Sequence, residues 1–117
     1  MTTATHGKQF SLYVHLGPNP WKVAIILNEL GFQDAYECIP VNAKEGDHKK
    51  APYTNLNPNG RMPTLIDHHN NDFVIWESGA IIYYLIEKYD TQHKISFEKF
   101  EDKALAMQYL IFQVSGE

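Results

Sequence analysis

The chain has 117 residues, which is room for one domain of ordinary size. A hydrophobic share of 44% is enough to build a core, and a net charge of −4 with both signs spread along the chain gives no electrostatic reason to expect nucleic acid as a partner. Cys38 is the only cysteine, which excludes an intrachain disulfide and fits a reducing compartment. Because no apolar run approaches the roughly 18–20 residues of a membrane span and the N-terminus has no apolar core, we expect a cytoplasmic protein without a membrane partner.

The first part of the chain predicts a β-α-β unit. Residues 10–16 alternate apolar and polar side chains as a strand does. Residues 17–20 carry two prolines and a glycine and must end that strand. A helix follows, with Pro20 in its first turn, and residues 35–41 form a second strand. This order implies a parallel pair with a right-handed crossover.

The second part predicts an antiparallel hairpin followed by a helix. Residues 42–58 are polar and long for a loop, which favours either a short helix or a binding function there. Short apolar runs at 64–66 and 73–76 flank an Asn- and Asp-rich turn, and Ser78 then starts a helix that runs to Tyr89. Two parallel and two antiparallel strands covered by helices predict an α/β, thioredoxin-like domain over residues 8–90. Residues 97–114 predict one further helix with a wide apolar stripe, built to pack in a bundle.

Three segments resemble the N-terminal domain of glutathione transferases, and they occur in that family's order. Residues 17–23 (GPNPWKV) resemble the loop at its first helix, residues 57–65 (NPNGRMPTL) the turn with its cis-proline, and residues 76–81 (WESGAI) its Glu-Ser motif. Together with residues 113–116 (QVSG), these motifs most resemble those of the fungal class related to the yeast nitrogen-catabolite regulator. The resemblance implies glutathione as cosubstrate, no metal, and a homodimer in the full-length protein. It also implies that residues 91–117 are a linker and the first helix of an incomplete all-helical second domain.

The resemblance assigns the γ-glutamyl and cysteinyl parts of glutathione to two of these motifs. The first turn of a helix presents unpaired N–H groups and a partial positive charge, so Ser78 is expected to hold the γ-glutamyl carboxylate and Glu77 the ammonium group. The alternative is that Ser78 only caps its helix. A cis bond between Met62 and Pro63 would turn the Met62 backbone outward to pair with the cysteinyl backbone, and the alternative is an ordinary trans turn.

Asn19 is expected to face the thiol, because residues 17–21 contain no Tyr, Ser or Cys and the fungal class uses an Asn at the matching place. Lowering a thiol pKa by two units takes about 2.7 kcal/mol. A hydrogen bond to a charged group supplies about 1.5–3 kcal/mol, and a helix N-terminus adds about 0.3–1 kcal/mol. An Asn that only shapes the proline turn is the alternative, and Tyr13, within the first strand, is a rival.

The glycyl end of glutathione is assigned to two further residues. His48 matches a glutathione-contacting histidine of the fungal class, and its alternative is an exposed loop histidine. Arg61 either serves the same glycyl carboxylate or is a solvated turn residue.

The remaining chemically suggestive side chains favour structural roles. His68 and His69 are expected at a solvated hairpin tip, since no tetrahedral ligand set accompanies them. Cys38 is expected to be a small buried residue of the second strand. Three aromatic residues are expected in the core or on a dimer surface: Trp76, Tyr83 and Tyr84.

These motifs lead to one functional prediction and two alternatives. The prediction is a glutathione transferase that binds reduced glutathione and activates its thiolate for transfer to a small electrophilic substrate. The alternatives are a non-catalytic glutathione-binding or regulatory protein and an inactive truncated paralogue.

Overall fold

A computed structural model describes residues 7–115. The helices and strands are, in chain order, β1 Phe10–Val14, α1 Pro18–Glu29, β2 Tyr36–Pro40, α2 Tyr53–Leu56, β3 Thr64–Asp67, β4 Phe73–Trp76, α3 Ser78–Tyr89 and α4 Phe100–Ser115. The sheet has the strand order β2-β1-β3-β4; β1 and β2 run parallel, and the other two pairs run antiparallel. The predicted thioredoxin-like fold is therefore confirmed.

The sheet is covered on both faces, and each face has its own apolar cluster. Helices α1 and α3 pack on one face over a cluster made of Phe10, Leu12, Val23, Leu27, Leu65, Ile81, Ile82 and Leu85. The other face carries a smaller cluster under α2, made of Tyr13, Tyr53, Met62 and Ile66. Strands β1 and β3 thus contribute side chains to both clusters, because successive side chains along a strand point to opposite faces of the sheet.

The start of α1 lies earlier than predicted. Strand β1 ends at Val14, and Leu16 is fully exposed. Gly17 precedes the helix, and Pro18 takes the first helical position, where its fixed φ fits and its missing N–H costs nothing. Asn19 consequently lies inside the first turn of α1 rather than on a loop.

The long segment before β3 does hold short helices. A 3-10 turn covers Asp47–Lys49, and α2 follows it. The peptide bond between Met62 and Pro63 is cis, as predicted, and a second cis bond, which was not predicted, joins Ala51 to Pro52.

The prediction of a solvated hairpin tip is wrong for His68. Residues His68–Asn70 form a 3-10 turn, not strand ends, and this turn folds back on the sheet. The His68 Nε2 atom lies 2.8 Å from the Ser11 Oγ atom on β1, and its Nδ1 atom lies 2.8 Å from an Asp72 carboxylate oxygen. His69 is exposed.

A buried carboxylate ties this turn to α3. Asp67, at the end of β3, is fully buried and accepts hydrogen bonds from the Tyr84 hydroxyl at 2.8 Å and the Tyr89 hydroxyl at 2.5 Å. It also accepts the His69 backbone N–H at 3.1 Å. We call Asp67, Tyr84 and Tyr89 the Asp67 cluster. Tyr84, predicted for the core or a dimer surface, is thus partly buried and hydrogen-bonded.

A second carboxylate organises the linker before α4. Asp90 is 5% exposed and accepts hydrogen bonds from the Ser96 hydroxyl and from the backbone N–H groups of Ile95 and Lys94. Burial alone raises the pKa of Asp90, but these three hydrogen bonds outweigh burial and hold it below its usual range. Helix α4 then begins at Phe100, three residues later than predicted.

The apolar side chains of α4 are largely exposed. Phe100 is 77% exposed and Phe112 is 73% exposed. Among the helices of residues 7–115, none is both long and apolar enough to cross a membrane.

Cys38 is exposed, so the prediction of a buried cysteine is wrong. It lies on β2, which among residues 7–115 pairs only with β1 and is therefore an edge strand, and an edge strand is covered less completely than a central one. Partial burial of the thiol nevertheless raises the pKa of Cys38, which keeps it protonated and poorly nucleophilic at neutral pH.

Candidate functional site

Most of the predicted site residues meet in one narrow cleft where α1 and α3 begin beside the turn that precedes β3. The cleft is lined by Asn19, Asn57, Asn59, Arg61, Met62, Pro63, Trp76, Glu77 and Ser78. Its volume is about 60 Å³, whereas a cavity of about 700 Å³ between α1 and β2 contains none of the predicted site residues. Convergent polar groups, rather than size, make the narrow cleft the candidate site.

Asn19 reaches the cleft from the first turn of α1. Its Oδ1 atom is buried, and the described residues offer it no hydrogen-bond partner. A buried amide oxygen without a partner is costly and uncommon in a folded protein. The Oδ1 atom can only accept a hydrogen bond, so the amide nitrogen of Asn19, at the positive end of α1, is the group that can donate to an anionic ligand.

Glu77 and Ser78 form the opposite wall at the start of α3. Ser78 is the first residue of this 12-residue helix and is 7% exposed, while Glu77 immediately precedes it. The capping position thus belongs to Glu77, not to Ser78, and Glu77 holds an unusual backbone conformation with φ 78° and ψ 118°. Non-glycine residues in such conformations concentrate at binding and catalytic sites.

The floor of the cleft is the turn that carries the cis bond. Met62 and Pro63 are buried, and Arg61 is exposed at the rim. The Arg61 carbonyl oxygen accepts two side-chain hydrogen bonds, from the Tyr53 hydroxyl and from the Asn57 amide.

His48 lies beside the cleft but does not line it. Its backbone oxygen packs against Gly60, where an added Cβ atom would come within 2.7 Å of that oxygen. Its ring Nδ1 atom is buried, and the described residues offer it no hydrogen-bond partner. The Lys49 ammonium donates to the Asn59 carbonyl oxygen at 3.2 Å and fastens this loop to the turn. The predicted role of His48 in binding stays a prediction.

Three residues of the cleft were not predicted as site residues: Asn57, Asn59 and Trp76. The first two belong to the NPNGRMP motif itself, so the motif was a usable signal for them. Trp76 ends β4 with 36% exposure at the cleft, although a core or dimer-surface role was expected. The rival Tyr13 is buried on the α2 side of the sheet, in a different cavity shared with Tyr53.

Comparison with known proteins identifies the fold's relatives. A family model described as "Glutathione S-transferase, N-terminal domain" matches residues 8–87. The chain belongs to the glutathione S-transferase family. Within that family it is 51% identical over 111 residues to "Glutathione S-transferase 1" of Schizosaccharomyces pombe, covering 93% of this chain and 48% of that protein. It is 39% identical over 111 residues to "Transcriptional regulator URE2" of Saccharomyces cerevisiae, covering 92% of this chain and 31% of that protein.

A solved glutathione transferase structure agrees with this assignment. URE2P6 from Phanerochaete chrysosporium, in complex with oxidized glutathione, superposes with a TM-score of 0.91 at 51% identity, covering 96% of this chain and 51% of that one. The glutathione transferase fold is thus shared along nearly all of the chain, and the chain spans about half the length of the glutathione transferases it matches.

Proposed function

We propose that the chain supplies the glutathione site of a glutathione S-transferase, which binds reduced glutathione and lowers the pKa of its thiol for transfer to a small electrophilic substrate. The observation that carries the proposal is that Asn19, the Met62–Pro63 turn and Ser78, from three separate elements, line one cleft. The oxidized glutathione bound to URE2P6 supports the same ligand class.

The γ-glutamyl end is assigned to the start of α3. The first N–H groups of a helix have no partner within the helix, and the helix dipole adds a partial positive charge there. Ser78 is the first residue of α3, so its hydroxyl and backbone N–H belong to this helix end, which favours a carboxylate. Glu77 is exposed beside it and supplies the negative charge that the neighbouring ammonium group requires.

The cysteinyl part is assigned to Met62 and Asn19. Met62 lines the cleft, and its backbone is assigned to pair with the cysteinyl backbone, as an added strand does. The Asn19 amide donates an N–H to the sulfur, and its position in the first turn of α1 lets the helix N-terminus act on the same sulfur. Together these two effects supply about 2–4 kcal/mol toward the thiolate, which covers the about 2.7 kcal/mol of a two-unit pKa shift.

The glycyl carboxylate is assigned to Arg61 and His48. Arg61 provides a cation at the cleft rim, and His48 lies behind the same turn with a buried ring nitrogen for which the described residues offer no partner. A charge-assisted hydrogen bond from either group is compatible with this carboxylate.

Substitution of Asn19 by Ala tests the proposal. We expect the rate of conjugation to chlorodinitrobenzene to fall roughly ten- to a hundredfold, which corresponds to one lost charge-assisted hydrogen bond, while the calorimetric Kd for glutathione changes less than about threefold. Asn19→Asp is the matched control, because it keeps the shape but places a negative charge beside the thiolate, and it should be at least as slow. Equal losses of rate and affinity in Asn19→Ala would mean that Asn19 only shapes the turn.

A non-catalytic binding or regulatory protein is the second candidate. One observation favours it: a relative at 39% identity is named a transcriptional regulator. Retention on glutathione-agarose without turnover of chlorodinitrobenzene would select this candidate. Absence of retention would reject both candidates.

The division of the chain is part of the same proposal. We assign residues 8–90 to the glutathione-binding domain and residues 91–117 to the linker and first helix of a second, helical domain. We further propose a cytoplasmic location and a homodimer of the full-length protein. Light scattering after size-exclusion chromatography measures the oligomeric state directly.

A further inference from the structure

A buried side-chain network lies directly behind the cis-proline turn. Tyr53 is 6% exposed, Asn57 is 1% exposed and Thr64 is fully buried. These three residues come from α2, from the residue that follows it, and from the start of β3. They surround the carbonyl oxygen of Arg61, the residue that enters the turn.

The hydrogen atoms of this network have a single consistent assignment. The Arg61 carbonyl can only accept, so the one Tyr53 hydroxyl hydrogen goes to it, at 2.5 Å. The Asn57 amide nitrogen donates one hydrogen to the same carbonyl at 2.8 Å and one to the Thr64 hydroxyl oxygen at 3.1 Å. The Thr64 hydroxyl therefore donates to the Tyr53 oxygen, at 2.6 Å.

The orientation of the Asn57 amide is fixed independently. Its Oδ1 atom accepts the backbone N–H of Asn59 at 3.0 Å, so its nitrogen must face Arg61 and Thr64. Every O–H and N–H hydrogen of the three side chains takes part in a hydrogen bond, and a fully satisfied buried network holds one geometry. Two donors on one carbonyl oxygen leave the peptide plane between Arg61 and Met62 little freedom to rotate.

We propose that Tyr53 and Asn57 are positioning residues, which fix the Arg61–Met62 peptide plane in the orientation that binds glutathione, and that Thr64 supports both of them. The inference rests on the proposed function, because the Met62 backbone is the group assigned to the cysteinyl part. Pre-organising a binding segment avoids the entropy cost of ordering it when the ligand arrives. Tyr53, which does not line the cleft, would thus govern affinity without contacting glutathione itself.

Two isosteric variants separate the direct donors from their support. Tyr53→Phe removes one of the two donors to the Arg61 carbonyl. Thr64→Val keeps both donors and removes only the hydroxyl between them. Both variants lose buried hydrogen bonds, but only the first loosens the carbonyl directly. We therefore expect Tyr53→Phe to weaken glutathione binding roughly three- to tenfold and Thr64→Val to weaken it less.

A third variant controls for loss of stability. Tyr89→Phe removes a tyrosine hydroxyl that donates to Asp67 at the other end of β3, outside the cleft. It should lower the thermal midpoint but leave the Kd for glutathione unchanged. The Kd is measured calorimetrically on the 117-residue chain, at a temperature where circular dichroism shows each variant folded.

Amide hydrogen exchange gives a readout that does not depend on the ligand. Exchange at the backbone amides of residues 60–62 should accelerate in Tyr53→Phe and remain unchanged in Tyr89→Phe. If the wild-type chain does not bind glutathione, the proposed function fails, and the role of this network toward glutathione fails with it. If the wild type binds and Tyr53→Phe binds equally well, or if all three variants weaken binding in proportion to their lost stability, the positioning role alone is overturned.

Discussion

The backbone of Glu77 allows a test that separates binding from stability. A non-glycine residue at φ 78° and ψ 118° costs on the order of 1–3 kcal/mol, and a glycine there is relieved of most of that strain because it has no Cβ atom. Glycine also loses more conformational entropy on folding, which costs about 0.5–1 kcal/mol. Because Glu77 is exposed, its side chain contributes little burial. Glu77→Gly should therefore raise the free energy of unfolding by up to about 2.5 kcal/mol, and the thermal midpoint should rise by up to several degrees.

The same substitution should harm binding. In the proposed site the Glu77 carboxylate pairs with the ammonium group of glutathione, and a hydrogen bond to a charged group contributes about 1.5–3 kcal/mol. Removing it should raise the Kd for glutathione roughly ten- to a hundredfold. Glu77→Gln is the matched control, since it keeps the strained backbone and loses only the charge. It should weaken binding without raising the thermal midpoint.

Thermal unfolding followed by circular dichroism and calorimetric titration with glutathione measure the two quantities. A gain in stability together with a loss of affinity would show that Glu77 is held in a costly conformation that serves the ligand. A Glu77→Gly variant with a lower thermal midpoint than the wild type would refute the strain argument. Unchanged affinity in both variants would refute the assignment of the ammonium group.

Three other residues give predictions of their own. Gly60→Ala should destabilise the fold and weaken glutathione binding, because the new Cβ atom would lie 2.7 Å from a backbone oxygen. Gly31→Ala is the control: Gly31 has φ 88° and no atom within 4 Å of the added Cβ, so this variant should lose about 1–2 kcal/mol of stability and keep its affinity for glutathione. Equal losses of stability and affinity in the two variants would show that the clash is not the cause. Asp90→Ala should lower the free energy of unfolding by about 2–3 kcal/mol in urea titrations at neutral pH. Because the folded pKa is depressed below 3.8, the wild type should lose part of this advantage progressively as the pH falls from about 5 through the folded pKa. An advantage that already fades above about pH 5 would contradict the assignment. Burial raises the pKa of Tyr84 to about 12, so its contribution to the free energy of unfolding should be complete below pH 10. Between pH 10 and 12 that contribution should decline by at most about 1.4 kcal/mol per pH unit. Tyr84→Phe should make the fall of the free energy of unfolding with pH less steep, and an equally steep fall in the variant would mean that another group causes it.

Those parts of the fold that depend on local periodicity were predictable from the sequence. Alternating side chains mark β1, helical spacing marks α1 and α3, and the short runs around residues 68–72 mark the β3–β4 hairpin. Each of these signals is contained within one element, so no knowledge of distant contacts is needed. The cleft was predictable for a different reason, because three motifs carry the backbone features that bring Asn19, Met62 and Ser78 together.

Polar partners that are distant in sequence were not predictable. Tyr89 donates to a carboxylate 22 residues earlier, and Tyr53 donates to a carbonyl oxygen eight residues later. Neither pair has a characteristic spacing, since both exist only after the helices have docked on the sheet. Cys38 was misplaced for a related reason: its strand is recognisable in the sequence, but whether that strand lies at the edge or the centre of the sheet depends on the completed topology.

The position of β3 makes the binding and stability predictions separable. Thr64 begins this strand behind the cis-proline turn, and Asp67 ends it within the Asp67 cluster. Three residue steps of an extended strand span about 10 Å, which is the separation at which the effects of two substitutions on stability usually add. A change at Tyr89 or Tyr84 should therefore alter stability without moving the groups of the cleft, whereas a change at Tyr53 should alter both. Combining Tyr53→Phe with Tyr89→Phe should give additive losses of stability, while the affinity of the double variant should equal that of Tyr53→Phe alone. If the double variant binds more weakly than Tyr53→Phe, β3 transmits strain between its two ends, and stability and binding in this fold are coupled.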